Sequence, residues 1–129
     1  MDSIFTKIAK REIPADIIYE DEHTFVIADK FPSMPGQLLV ITKRQTPYIF
    51  ALPDSEYHAL MTTTKKIAAA LDVISGKERT CIAIEGFEVP HVHVRLYPCN
   101  EPGLVLQPRQ EATSDEIAQL VKKMKETLA

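Results

Sequence analysis

The residues best equipped for chemistry sit together in one short stretch, Pro90-His91-Val92-His93-Val94-Arg95-Leu96. Extended backbone sends successive side chains to opposite faces, so His91, His93 and Arg95 share one side and Val92, Val94 and Leu96 the other. Three readings fit that polar face. Imidazoles at i and i+2 can share a metal ion, but zinc wants a third or fourth ligand, and the nearest candidates, Glu88 and Cys99, are poorly spaced. Alternatively, a neutral imidazole attacks phosphorus at pH 7 and later departs, which splits one hard displacement into two easier ones. In that chemistry a hydrogen bond to the other ring nitrogen sets the tautomer, and a permanently charged fork such as Arg95 steadies the phosphoryl oxygens. The plain alternative is a strand with a solvent-facing side, although such faces more often carry Thr, Lys or Glu. The remaining histidines have solvated readings, His23 in a charged turn and His58 on the polar side of a helix.

To place such a strand, the rest of the chain must supply a sheet and helices to cover it. Ile4, Phe5 and Ile8 are spaced for one face of a short helix over residues 2–10. Residues 17–19 and 24–29 read as strands around the acidic turn Glu20-Asp21-Glu22, and 37–43, with its apolar centre Leu38-Leu39-Val40-Ile41, as a central strand. Tyr57, Leu60, Thr64, Ile67, Leu71 and Ile74 recur three and four apart and predict a long helix stopped at Gly76. Its other half, with Thr62, Thr63, Lys65 and Lys66, reads as exposed. Residues 81–84 and 92–96 are two further strands. Thr113-Ser114-Asp115-Glu116 is a capping box opening a last helix with the stripe Ile117, Leu120, Val121, Met124 and Leu128. Helices before, between and after the strands predict an α+β fold: an antiparallel five-stranded sheet with a short N-terminal, a long central and an extra C-terminal helix.

Composition narrows the function classes. The chain has 129 residues, 45% of them hydrophobic and 26% charged, with a net charge of −3. That suits a single domain with one core. Lysine and arginine never run beyond pairs, which argues against a partner of duplex nucleic acid. Residues 1–11 mix charge with apolar residues and do not read as a signal peptide, and no apolar run approaches a membrane span. A cytoplasmic protein with no membrane partner is the expectation, with Cys81 and Cys99 as free thiols, one in the core and one in a loop. The scarcity of glycine (Gly36, Gly76, Gly86 and Gly103) removes the glycine-rich phosphate loops of kinases, P-loop proteins and dinucleotide-binding enzymes.

His91-Val92-His93-Val94-Arg95 resembles the His-φ-His-φ-His-φ-φ signature of the histidine triad (HIT) superfamily, with arginine in the third place. Ser3-Ile4-Phe5-Thr6-Lys7-Ile8, Glu12-Ile13-Pro14-Ala15 and Ile18-Tyr19-Glu20-Asp21 are similar to that family's opening. Asp29, Pro32, Pro35-Gly36, Leu39-Val40-Ile41 and Lys43-Arg44 continue it in order. The resemblance spans about residues 2–98. It implies a HIT-like fold, with a HIT domain at 1–98 and a C-terminal extension, loop plus helix, at 99–129 packed on the same domain. It further implies a homodimer pairing through the central helix and a nucleotide, or nucleoside phosphate conjugate, as the small-molecule partner. His93 would be the catalytic nucleophile at the α-phosphate, with His91 and Arg95 beside it. Asp29 would bind the ribose hydroxyls, and Ile4, Phe5, Ile8 and Ile27 would wall the base pocket.

The departures from the family pattern shape the expected chemistry. Arg95 cannot lose a proton in a protein, so it can stabilise charge but cannot protonate a leaving group. Gln37 stands where relatives place a phosphate-positioning histidine, and is expected, with Arg95, to hold phosphoryl oxygens. Ser3, Thr6 and Gln45 stand where many bacterial relatives hold zinc, so no metal and no cofactor is expected. The uridylyltransferase branch of the superfamily has glutamine in the third place and is active, so a non-histidine there does not imply a dead enzyme. The leading expectation is therefore a nucleotide hydrolase or nucleotidyltransferase working through nucleotidyl-His93. The alternative is a nucleotide-binding module with little catalysis.

Overall fold

A computed structural model describes residues 1–102 and 109–129. The element order is α1 (Ile4–Ala9), β1 (Ile17–Glu20), β2 (Thr24–Ala28), β3 (Leu38–Thr42), a 3-10 turn at Ile49–Ala51, α2 (Asp54–Ser75), β4 (Arg79–Ala83), β5 (His93–Cys99) and α3 (Ser114–Leu128). The five strands form one antiparallel sheet in the order β1-β2-β3-β5-β4. The expected α+β architecture is the observed one. The stretch 103–108 of the expected C-terminal loop, with Gly103, lies outside the described residues.

Period-two alternation splits β2, β3 and β5 between two cores. Val26, Leu38, Val40, Val94 and Leu96 pack on Leu60, Ile67 and Leu71 of α2 and on Val121 and Met124 of α3. Phe25, Ile27, Leu39 and Ile41 face the other way, onto Phe5 and Ile8 of α1. A central strand buried on both faces has no polar side to show, which is why β3 reads as a continuous apolar run. Both long helices stop and start as their end residues dictate. Gly76 takes the left-handed conformation (φ 66°) that closes α2, and Thr113 with Glu116 forms the reciprocal capping box of α3.

Three expectations need correction. Thr63 is not on the wet half of α2: it is buried, and its hydroxyl donates to Asp21 Oδ2 at 3.0 Å, tying the helix to the β1–β2 turn. The acceptor lies across a sheet-to-helix contact, which helical spacing does not reveal. Cys99 is not in a loop, because β5 continues past Leu96 through Tyr97, Pro98 and Cys99. Among the described residues only β4 flanks it there, a setting in which a proline is tolerated. Cys81 and Cys99 remain free thiols but face one another, with 2.9 Å between their sulfurs, and that contact together with burial pushes the Cys99 thiol up to about 11. Finally, the last strand starts at His93 rather than at Val92.

Candidate active site

On the α1 side of the sheet, His93 pairs with Ile41 of β3 and Arg95 with Leu39, while Ile27 of β2 pairs with Leu39 from the other flank. The two polar residues therefore share a face with the small apolar core under α1. That helix is too short to cover the whole face. A cavity of about 580 Å³ remains between it, the strand ends and the β4–β5 connection. Ile4, Phe5, Ile8 and Ile27 form its apolar side, and Asp29, His93 and Arg95 its polar one. Among the described residues, no group of three or more His, Cys, Asp or Glu is placed to hold a metal ion.

His93 has a defined tautomer. Its Nδ1 lies 2.7 Å from the backbone oxygen of His91. A carbonyl only accepts, so Nδ1 carries the proton and Nε2 keeps its lone pair. Phe5 stands edge-on to the ring with centroids 5.0 Å apart, which limits its rotation. The site thus holds a fixed, half-buried imidazole with one basic nitrogen.

His91 does not line the cavity. Its side chain is fully buried, with Nε2 donating to the Thr42 backbone oxygen at 2.6 Å. Its Nδ1 accepts from the Ser3 hydroxyl at 2.6 Å. Ser3 also caps α1, accepting from the Thr6 amide at 3.1 Å. Gln45 completes the cluster, its Oε1 accepting from the Ser3 amide and the Thr6 hydroxyl, both at 2.7 Å. Of the three positions that the resemblance associates with zinc, Ser3 and Thr6 thus meet His91 as hydrogen-bonding groups, and Gln45 holds both of them. The network fixes both the start of α1 and the carbonyl that orients His93.

Arg95 lies on the cavity wall, 8% exposed, and its Nε is buried without a hydrogen-bond partner among the described residues. Its Nη1 stands 3.7 Å from Glu85 Oε2. An unpaired guanidinium N–H is costly in so dry a place unless an acceptor reaches it, and a phosphoryl oxygen is an acceptor of the right kind. Asp29 is held by two donors, the Phe31 amide at 2.9 Å and the Gln37 Nε2 at 2.8 Å. Gln37 is itself buried, accepts from the Ser33 amide at 3.1 Å, and does not line the cavity. Its amide orients Asp29, so the phosphate contact expected of it has no geometric basis here. The physical reason is local: Asp29 and Gln37 are paired across the ends of β2 and β3, with the Asp29 amide donating to the Gln37 oxygen at 3.0 Å.

The far wall was not legible in the sequence. Glu85, Gly86, Phe87 and Glu88 form it, joined by Arg109, Ser114 and Ile117 from beyond the sheet. Gly86 has φ 83°, and a Cβ there would meet the Pro47 carbonyl oxygen at 3.1 Å, so glycine allows this connection to turn against the neighbouring loop. Arg109 gave no signal: an isolated cation in an irregular segment follows no periodicity.

Burial lowers the pKa of both His91 and His93 below the ordinary histidine value. For His93 the Arg95 charge adds to this, and the bond to the His91 oxygen opposes it. Both rings are therefore neutral at pH 7. A histidine with a depressed folded-state pKa contributes stability that is fully present above its unfolded value of about 6.5 and is lost as pH falls through the folded value. The midpoint of urea unfolding should accordingly drop between pH 7.5 and pH 5, and drop less in a His91→Gln variant. An acid side as steep in the variant as in the parent would contradict the assignment.

The HIT domain family matches residues 10–101. The chain is 36% identical over 98 residues to the nitrilase and fragile histidine triad fusion protein of Caenorhabditis elegans, covering 71% of this chain but only 22% of that protein. It is 32% identical over 103 residues to an uncharacterized HIT-like protein of Methanocaldococcus jannaschii, covering 74% and 77% of the two chains. The crystal structure of a Hit-like protein involved in cell-cycle regulation from Bartonella henselae superposes with a TM-score of 0.85 at 21% identity, over 98% of this chain and 96% of that one. At that identity the likeness concerns the fold.

Proposed function

The chain belongs to the HIT domain family, and from that membership and the surroundings of His93 we propose a nucleotide hydrolase or nucleotidyltransferase acting at the α-phosphorus of a nucleoside phosphate conjugate. Proteins of this family are in general nucleotide-binding hydrolases and transferases. The observation that carries the finer reading is the His93 ring, neutral, with Nδ1–H donated to a backbone oxygen and Nε2 left basic on a cavity that also holds Arg95.

In this reading the nucleoside lies against Ile4, Phe5, Ile8 and Ile27, with its ribose hydroxyls on the Asp29 carboxylate. His93 Nε2 attacks the α-phosphorus. A phosphorus–nitrogen bond forms, and the bond to the leaving group breaks with its electron pair going to that group. Arg95 meets the phosphoryl oxygens with the N–H that has no partner among the described residues. Water or a second acceptor then attacks phosphorus and gives up its proton to solvent, and the phosphorus–nitrogen bond breaks, returning the lone pair to Nε2. His91 is a positioning residue here, acting through its carbonyl. The same proposal divides the chain into a HIT domain at 1–98 and an extension at 99–129. It also makes the protein a cytoplasmic homodimer through α2, where Val73 on that helix and Ile82 on edge strand β4 are exposed apolar side chains. Among the described residues no helix is long and apolar enough to cross a membrane.

The test is intact-mass spectrometry after incubation with diadenosine polyphosphate, an acyl-adenylate, adenosine phosphoramidate and UDP-glucose. The expected result is a nucleotidyl adduct whose fragmentation maps it to His93. A second reading, a binding module without turnover, rests on Arg95 having no proton to give and on Gln37 being engaged with Asp29. Nucleotide affinity by calorimetry with neither adduct nor product would favour it and sink the first.

A further inference from the structure

A second arginine reaches the cavity from outside the family-matched region. Arg109 follows residues 10–101, and the chain after it is pinned beside the loop that leaves β2. The Gln110 amide donates to the Pro32 oxygen at 3.3 Å, and the Ala112 amide to the Lys30 oxygen at 2.8 Å. Arg109 lines the same cavity as His93 and Arg95, and its charge is among those that disfavour protonation of His93.

Each cavity arginine rests on a carboxylate of the β4–β5 connection. Arg109 Nη1 lies 2.6 Å from Glu88 Oε2, as Arg95 Nη1 lies 3.7 Å from Glu85 Oε2. The two acids are the solvated partners: the side chains of Glu85 and Glu88 are 54% and 73% accessible, against 10% and 34% for Arg95 and Arg109. A carboxylate that well solvated gives up its arginine at little cost, since an exposed ion pair contributes little. Its oxygens mark a position that other anionic oxygens can take. Arg95, in the same strand as His93, serves the phosphoryl group under attack. Arg109, on a different wall, answers a second anion.

Resting on the His93 reading, we propose that Arg109 is a specificity residue: it exchanges Glu88 for an anion on the leaving group. The site then favours conjugates whose leaving group bears phosphate over those that release a neutral amine. Turnover of diadenosine triphosphate and of adenosine phosphoramidate by the full chain tests this. Arg109→Ala should lower the ratio of kcat/KM values, anionic over neutral, about tenfold, as the loss of one charge-assisted hydrogen bond predicts. The change should fall on KM. Arg109→Lys should recover part of the ratio, and Glu88→Gln should move it the opposite way, which a purely structural role for the ion pair would not do. An unchanged ratio in Arg109→Ala, or a ratio that falls in Glu88→Gln, would overturn the inference and leave the His93 reading standing. If neither substrate turns over, it is the His93 reading that fails. The inference is then decided by calorimetry of ADP against AMP: Arg109→Ala must lower the affinity ratio, and an unchanged ratio overturns it.

Discussion

His93→Ala should lower kcat/KM on every substrate the protein turns over by about 10³-fold or more, as removal of a nucleophile does where binding contacts survive. The fold should persist. His93 is only half-buried, and among the described residues its side chain bonds only the carbonyl of His91 and no other side chain. The core beneath it, Phe25, Ile27, Leu39 and Ile41 against α1, is formed by other residues. Unfolding curves of parent and variant should therefore nearly coincide while turnover and adduct vanish together. Full turnover in the variant would place the chemistry on another group, and the proposed function would fall with it.

Replacing Arg95 should cost about 10²–10³-fold in kcat for Arg95→Met, the usual effect of removing one donor aimed at developing charge in a dry site. Methionine keeps most of the length and bulk on this largely buried strand position, and the side chain it replaces already leaves Nε without a partner among the described residues. Loss of stability should consequently be small, and the variant separates catalysis from packing. Arg95→His tests the same position from the other direction. It supplies a group that can carry and release a proton next to His93, so cleavage of adenosine phosphoramidate should rise relative to diadenosine polyphosphate. Steady-state rates on both substrates decide the matter. If Arg95→Met left kcat intact, or Arg95→His left the substrate preference unmoved, Arg95 would have no part in charge stabilisation and the account of its substitution for histidine would be wrong.

Local patterning made much of the architecture legible. The alternation around Val92, His93, Val94 and Arg95 is a property of extended backbone alone, and the structure buries Val92 and Val94 on the α2 side while His93 and Arg95 line the cavity. The stripe of α2, the stop at Gly76 and the capping box at Thr113 are likewise short-range, because helix periodicity and end capping involve residues within four positions of one another. Site membership travelled less well. Ile4, Phe5, Ile8, Ile27 and Asp29 do border the cavity with His93. The four apolar residues by themselves carry the sequence signal of ordinary core, and it is the resemblance that marks them and Asp29.

Element types, their order, the antiparallel α+β class and the shared face of His93 and Arg95 are thus written in local patterns of the chain. What those residues meet depends on long-range packing. It withdrew His91 from the cavity into a bonded cluster with Ser3, Thr6 and Gln45, and turned Gln37 onto Asp29. It also brought Arg109 against Glu88 across 21 positions of chain. Each of these is a hydrogen bond beyond the reach of helix or strand periodicity, formed because the sheet and its connections bring the polar atoms within about 3 Å, and the buried His91 and Gln37 sit in places too dry to be left unpaired. Side-chain type says what a residue can donate or accept; the partner that answers it is set by packing.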